Sequence, residues 1–318
     1  MKAVRNAIGE FPSQKGAQEM MRNKKKNKTF PSALEDAKAA ELSIPSSQTL
    51  SPSYRLAYMD HDFLLKDELR SVRLGLELLK PELIMREHGI ERTIVIFGGT
   101  RIPDPAVARE HLTEAEAAVR KDPANKLLAR RVEIARRIFK KSKYYEEARK
   151  LASLVSNASK NSNHFHSVVI TGGGPGIMEA ANRGAYEVGA ENIGLNIVLP
   201  FEQKPNEYIT PELCFQFHYF AIRKMHFLMR ARALIVFPGG FGTLDELFET
   251  LTLIQTKKIE PIPVLLFGKE FWEKIINFDA LVEEGTISPE DIKLFQYVET
   301  AEEAWEIISK TYVQRLSL

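Results

Sequence analysis

Residues 233–249 read A-L-I-V-F-P-G-G-F-G-T-L-D-E-L-F-E. Ala233–Phe237 has the length and composition of a strand buried on both faces. Pro238 stops it, glycines at 239, 240 and 242 make the turn, and a helix is expected over 243–256. Strand, glycine turn and helix in that order are the unit of a parallel α/β sheet. The same unit occurs twice more. R-T-I-V-I-F (92–97) runs into G-G-T-R, and S-V-V-I-T (167–171) runs into G-G-G-P-G.

Outward from these three turns the alternation continues. Strands are expected over 192–199, at C-F-Q-F-H (214–218) and over 263–267. Helices are expected over 177–188, 222–232, 272–283 and 301–312. The predicted fold is a Rossmann-like, doubly wound, mainly parallel α/β sheet with an N-terminal helical extension. Residues 1–59 form a polar extension, 60–91 a helical segment and 92–318 the main domain. A charged helical insertion lies at about 104–161, with Pro123 as its main breaker. In residues 60–89, Leu65, Leu69, Val72, Leu76 and Leu79 recur at helical spacing; Pro81 is expected to break or kink that helix and Gly89 to end it. In open parallel sheets ligands bind outside the carboxyl ends of the strands, where all three glycine turns fall.

Composition narrows the function classes. A formal net charge of +2 does not single out a polyanionic partner. One cysteine, Cys214, excludes an intramolecular disulfide framework and fits a reducing compartment. No Cys–His spacing matches zinc, no apolar run has the length of a membrane span, and the N-terminus lacks a secretory signal pattern. The expectations are a cytoplasmic protein, no metal, no cofactor, and no nucleic-acid or membrane partner. The basic run Arg22–Lys28 and the basic strip Arg130–Lys143 read as solvated charge, the strip also as a dimer or regulatory surface.

The turns themselves suit an anion. T-G-G-G-P-G-I-M-E (171–179) lets backbone N–H groups approach a phosphate and ends on a helix N-terminus, although it has neither dinucleotide spacing nor a Walker lysine. P-G-G-F-G-T repeats the device. T-L-D-E (243–246) also fits a capping box with Thr243 as N-cap and Glu246 at the third helical position. A capped helix start and a phosphate cradle are the two readings of this loop. In R-K-M-H-F-L-M-R-A-R (223–232), Arg223 and Lys224 open a helix, where the dipole disfavours cations unless an anion is bound. His226 reads as a packing or surface residue.

G-G-G-P-G-I-M-E, R-K and P-G-G-F-G-T-L-D-E, in that order, resemble the LOG ("Lonely Guy") family of nucleoside 5′-monophosphate phosphoribohydrolases, long labelled "possible lysine decarboxylase". The family pattern P-G-G-x-G-T-x-x-E is matched by Pro238–Glu246, and the resemblance covers residues 92–270 or so. It implies hydrolysis of the N-glycosidic bond to free base and ribose 5-phosphate, and a homodimer or higher homo-oligomer. It assigns catalysis to Arg223 and Glu246. Substrate contacts are then expected from Gly98, Thr100, Gly172, Gly173, Gly174, Gly176, Met178, Glu179, Lys224, Gly239, Gly240, Phe241, Gly242 and Thr243. Leu199–Asn206 is expected to rim the pocket, with Glu202 and Asn206 near ribose or base. M-E-A-A-N, the insertion and the extension depart from the small plant-type members and look more like the larger bacterial subgroup. A pyridoxal-dependent decarboxylase needs a Schiff-base lysine, for which only Lys224 is near the glycine loops. The resemblance also reaches non-catalytic carriers of molybdenum cofactor, so a nucleotide- or cofactor-binding carrier is the alternative.

Overall fold

The computed structural model describes residues 30–161, 165–200 and 204–316. The basic run Arg22–Lys28 and Glu202 lie outside them. The described residues divide into two compact units, one ending at Arg73 and one beginning at Leu74. In the first, α1 (Ala33–Ala40) is opened by a capping box between Ser32 and Glu35. Tyr58 donates to the Ala33 carbonyl at 2.8 Å, and α2 (His61–Leu64) follows with Asp60 as its N-cap.

The second unit carries a seven-stranded, wholly parallel sheet: β1 (Thr93–Phe97), β2 (Val168–Thr171), β3 (Asn192–Ile197), β4 (Cys214–Phe217), β5 (Ala231–Val236), β6 (Val264–Phe267) and β7 (Gln296–Val298). The strand order is β4-β3-β2-β1-β5-β6-β7. The chain therefore winds outward from β1 to β4, returns to the centre, and winds outward again from β5. The reversal falls between β1 and β5, which pair from Ile94↔Ala233 to Phe97↔Val236. Their carboxyl ends diverge into loops leading to opposite faces, and the crevice this leaves is where such sheets bind ligands.

Both faces of the sheet are covered. Ile94, Ile96, Val169, Ile235 and Leu265 pack under α6 (Lys143–Asn161), α7 (Ile177–Glu187) and α12 (Ala301–Leu316). Val95, Phe97, Ile193, Leu195, Leu234 and Leu266 pack under Met85, Phe227, Leu247, Trp272 and Phe278. These come from α3 (Arg70–Glu87), α8 (Phe220–Met229), α9 (Phe241–Gln255), α10 (Lys269–Ile275) and α11 (Phe278–Glu283). With both faces dry, the central strands carry apolar residues in unbroken runs.

The charged segment is three helices, α4 (Pro105–Lys121), α5 (Lys126–Lys141) and α6. The first two each bury one side chain fully, Ala108 and Val132. α6 buries Tyr144, Tyr145, Leu151, Ala152 and Val155, and is a core helix.

Several local expectations change. Helix α3 runs through Pro81 without ending. The proline ring frees the carbonyl four residues back, on Glu77. The carbonyls of Glu77 and Leu78 face the buried ring of His226, whose charged form burial disfavours. His226 is thus a packing residue. The expected apolar stripe is largely exposed at Leu65, Val72, Leu76 and Leu79; the fully buried residues of α3 are Pro81 and Met85. The helix expected over 272–283 is two, α10 and α11, and β7 adds a strand.

Helices α6 and α7 touch backbone to backbone. The Ser153 hydroxyl donates to the carbonyls of Arg149 and Gly184. A Cβ at Gly184 would stand 2.0 Å from the Arg149 carbonyl oxygen. Gly184→Ala must force the helices apart and should cost about 1–3 kcal/mol. Urea unfolding should show a lowered midpoint at unchanged slope; an unchanged midpoint would refute the close packing.

Candidate functional site

Three loops meet at the switch point and are tied by the peptide of Gly99. Its N–H donates to the Pro238 carbonyl at 2.9 Å, and its carbonyl accepts from Ile177 N–H at 3.3 Å. The first bond joins the β1 loop to the β5 loop, the second to the start of α7. Gly176, at φ +73°, caps α7 against the same peptide; a Cβ there would lie 2.5 Å from the Gly99 oxygen. Only glycine combines that conformation with that approach.

The G-G-G-P-G turn is also held from below. Thr171 Oγ1 accepts from Gly173 N–H at 3.0 Å and donates to Asn182 Oδ1 at 2.7 Å. Asn182 Nδ2 donates to Asn192 Oδ1 at 2.8 Å. Asn206 Nδ2 donates to Asn182 Oδ1 and to the carbonyls of Gly173 and Gly174. Asn206 therefore clamps the turn rather than reaching for ribose or base. A buried, mutually satisfied amide network of this kind fixes a unique geometry.

Above these loops lies a cleft of about 300 Å³, lined by Phe97, Gly98, Gly99, Thr100, Met178, Phe220, Arg223, Gly240, Phe241, Gly242, Thr243, Asp245 and Glu246. It unites Gly98, Thr100, Met178, Arg223, Gly240, Phe241, Gly242, Thr243 and Glu246 from the sequence expectation. The others stand back. Gly172 and Gly174 lie behind Met178, and Gly239 behind Thr243. Gly173 and Gly176 serve the anchoring just described. Glu179 turns away to accept from Tyr145 Oη at 2.9 Å. Phe97, Gly99, Phe220 and Asp245 were not foreseen. Phe220 sits one helical turn before Arg223, so a helix begun two residues earlier than expected would have revealed it.

The capping box is absent. Helix α9 starts at Phe241 with Gly240 as an N-cap that supplies no side-chain acceptor. Thr243 is its third residue and Glu246 its sixth. The first N–H groups of the helix, which have no partner inside it, open at the cleft with the positive end of its dipole. Glu246 is carried one turn deeper, where it is 5 % exposed.

Arg223 enters from α8. Its Nε donates to the Leu195 carbonyl at 2.7 Å, and its guanidinium packs over Phe227. Its Nη2 lies 2.6 Å from where a Cβ on Gly172 would stand. Burial disfavours its charge, and Glu246 restores part of it. Burial likewise pushes the Glu246 carboxyl up to about 7; Arg223 opposes that rise, while Glu249 adds to it. Lys224 lowers the Glu246 pKa less than Arg223 does, and its ammonium is held by Asp245 at 3.0 Å and Glu249 at 2.9 Å. Burial works against the Lys224 charge, but the two carboxylates outweigh it and raise its pKa. An amine held charged in this way is unsuited to a Schiff base. Among the described residues no group of three or more His, Cys, Asp or Glu is placed to hold a metal ion, and no helix is long and apolar enough to cross a membrane.

A family model described as possible lysine decarboxylase matches residues 178–308. The cytokinin riboside 5′-monophosphate phosphoribohydrolase LOG3 of Arabidopsis thaliana is 31% identical over 169 residues, 52% of this chain and 74% of that protein. The probable cytokinin riboside 5′-monophosphate phosphoribohydrolase LOGL3 of Oryza sativa subsp. japonica is 30% identical over 148 residues, 43% of this chain and 64% of the rice protein. Among solved structures, the molybdenum cofactor carrier protein of Chlamydomonas reinhardtii aligns with 18% identity and a TM-score of 0.35, over 54% of this chain and 89% of that one. A likeness that weak carries no argument about ligand.

The Glu246 environment has a consequence for stability. Its folded pKa, about 7, lies above its ordinary 4.5, so between these values the folded state holds a proton that the unfolded state releases. Stability from this group is present below 4.5 and lost as pH rises to 7. Glu246→Gln removes that loss. Relative to the native chain it should gain roughly 2–4 kcal/mol at pH 8 over its value at pH 4. Chemical unfolding of both proteins at both pH values checks this; an equal difference at the two would refute the raised pKa.

Proposed function

This chain belongs to the LOG family of phosphoribohydrolases, and on that premise we propose that it hydrolyses the N-glycosidic bond of a nucleoside 5′-monophosphate to free base and ribose 5-phosphate. The observation that carries the reading is the pairing of an anion-ready helix start with a buried carboxylate one turn below it. The cleft offers the phosphate the open N–H groups of Phe241, Gly242 and Thr243 and the α9 dipole. Phe220, Phe241 and Met178 provide apolar walls suited to a flat base.

Binding the phosphate at the head of α9 directs the ribose inward, toward Glu246. As the bond from the anomeric carbon to the base nitrogen breaks, its electron pair leaves with the base and positive charge builds on the carbon and ring oxygen. An ionised carboxylate in a dry site opposes that charge. A pKa of about 7 also suits it to take the proton of the attacking water, whose hydroxide adds to the anomeric carbon. The departing base recovers a proton, so no net proton is consumed. The Arg223 charge lowers the pKa of the carboxylate and so keeps it ionisable. A guanidinium fixed by the Leu195 carbonyl is suited to that task in a way a lysine is not.

The test is a panel of AMP, GMP, IMP, CMP, UMP and isopentenyl-AMP, assayed for free base and ribose 5-phosphate. At least one should be turned over, and the isopentenyl-AMP arm reports whether the cytokinin chemistry in the relatives' names extends to this chain. Glu246→Gln should lower kcat by about 10²–10⁴-fold with the fold retained. In the native protein kcat/KM should rise with pH through about 7 and level off, because the ionised carboxylate is the active form. Tight binding of monophosphates without turnover of any would contradict the hydrolase and favour a carrier.

A further inference from the structure

The basic strip Arg130–Lys143 does not lie along α5 as one continuous face. Arg136 turns to Glu116 and Glu133, both at 3.1 Å. Arg137, Lys140, Lys141 and Lys143 instead converge with Lys274 of α10 on a separate cleft of about 310 Å³. Tyr144, Phe271 and Ile275 form its apolar walls, and its one acid is Glu270. Five cations therefore face a single carboxylate in one concavity. None of its lining residues belongs to the cleft around Glu246.

We propose that this cleft binds a small ligand carrying two or more phosphoryl groups. The internal ion pairs leave the charge unbalanced. Lys140 meets Glu270 at 2.9 Å, and Lys143 approaches Glu299 at 3.7 Å. Lys141 donates only to the Arg137 carbonyl, at 3.2 Å. Arg137 and Lys274 have no acid within ion-pair distance among the described residues. The C-terminal dipole of α5 accounts for Lys140 and Lys141. It does not account for Lys143, which opens α6 where the dipole is adverse, or for Lys274 on another element. Half-buried Lys141 has its pKa pulled down, first by burial and then by Arg137, Lys274 and Lys140. That mutual repulsion is present in the free protein, and a bound polyanion removes it. A single phosphate leaves much of the positive charge uncancelled. The compact pocket and the diversion of Arg136 argue against an extended nucleic-acid track. The apolar walls leave room for a nucleoside beside the phosphates.

This inference does not depend on the proposed hydrolysis, and its test reads binding alone. Calorimetric titration of the full chain would compare inorganic triphosphate, ATP, GTP, orthophosphate and a short single-stranded RNA. The proteins would be the native chain, Arg137→Gln/Lys274→Gln, and the cleft variant Thr243→Val. The first two altered residues are exposed, so the variant should keep its melting curve. Triphosphate should bind the native chain, bind the double variant about tenfold or more weakly, and bind Thr243→Val unchanged. Tighter binding of ATP or GTP would identify a nucleoside polyphosphate as the occupant; equal binding would identify the polyphosphate group itself. The proposal is overturned if triphosphate fails to bind at about 1 mM, if the Arg137→Gln/Lys274→Gln variant binds it as tightly as the native chain, if orthophosphate depends on those two residues with equal affinity, or if the RNA binds the same residues more tightly.

Discussion

A carboxylate removed from water near a guanidinium also removed from water is the constraint around which the cleft at the sheet's switch point is organised. Neither Glu246 nor Arg223 is at ease there, since burial disfavours the charge of each. Coulomb attraction between them recovers part of the penalty, with no ion-pair contact between the two side chains. Geometry keeps them together. Arg223 is pinned by the Leu195 carbonyl on β3, and Glu246 is carried by a helix that the β5 loop launches. Lys224, the nearest alternative partner, is engaged by Asp245 and Glu249. The acids flanking Glu246 thus hold the neighbouring cation, and Arg223 exerts the larger favourable charge on the buried carboxylate.

That arrangement requires the loops beneath it to stay put. The Gly99 peptide binds the β1 loop to both neighbours, and the Thr171–Asn182–Asn206 network fixes the glycine turn from below. Glycine here serves close approach as much as anion contact. Most of G-G-G-P-G is structural floor, and the groups left open to an anion belong to the start of α9. A rigid floor with an open helix end above it is what pre-organised binding of a phosphorylated sugar demands.

The parallel sheet and its three glycine turns were legible because strands buried on both faces leave apolar runs that little else produces. That Arg223, Glu246, Thr243, Gly240 and Gly242 would line one cleft was legible through the order and spacing of their motifs. What escaped detection has physical causes. T-L-D-E satisfies a capping pattern, but backbone geometry at Gly240 starts the helix two residues sooner, so Thr243 packs on Gly239 instead of capping. Pro81 breaks helices in isolation, yet here its helix is buried at that point and the freed carbonyl faces His226. Asn206 and Glu179 are polar residues near a predicted pocket, and only tertiary contacts show that one clamps a loop and the other serves Tyr145. Strand β7 is three residues long, too short for periodicity to register.

The central claim is that Glu246 is held half-ionised near neutrality by burial opposed by Arg223. It is tested most directly by titrating the protein labelled with ¹³C at the glutamate side-chain carboxyl and following each resonance by NMR, with Glu246→Gln to assign the signal. One resonance should move with a midpoint near 7 and be missing from the variant. If every glutamate carboxyl instead titrates in the ordinary range near 4.5, the desolvated pair does not exist and the account of the site is wrong.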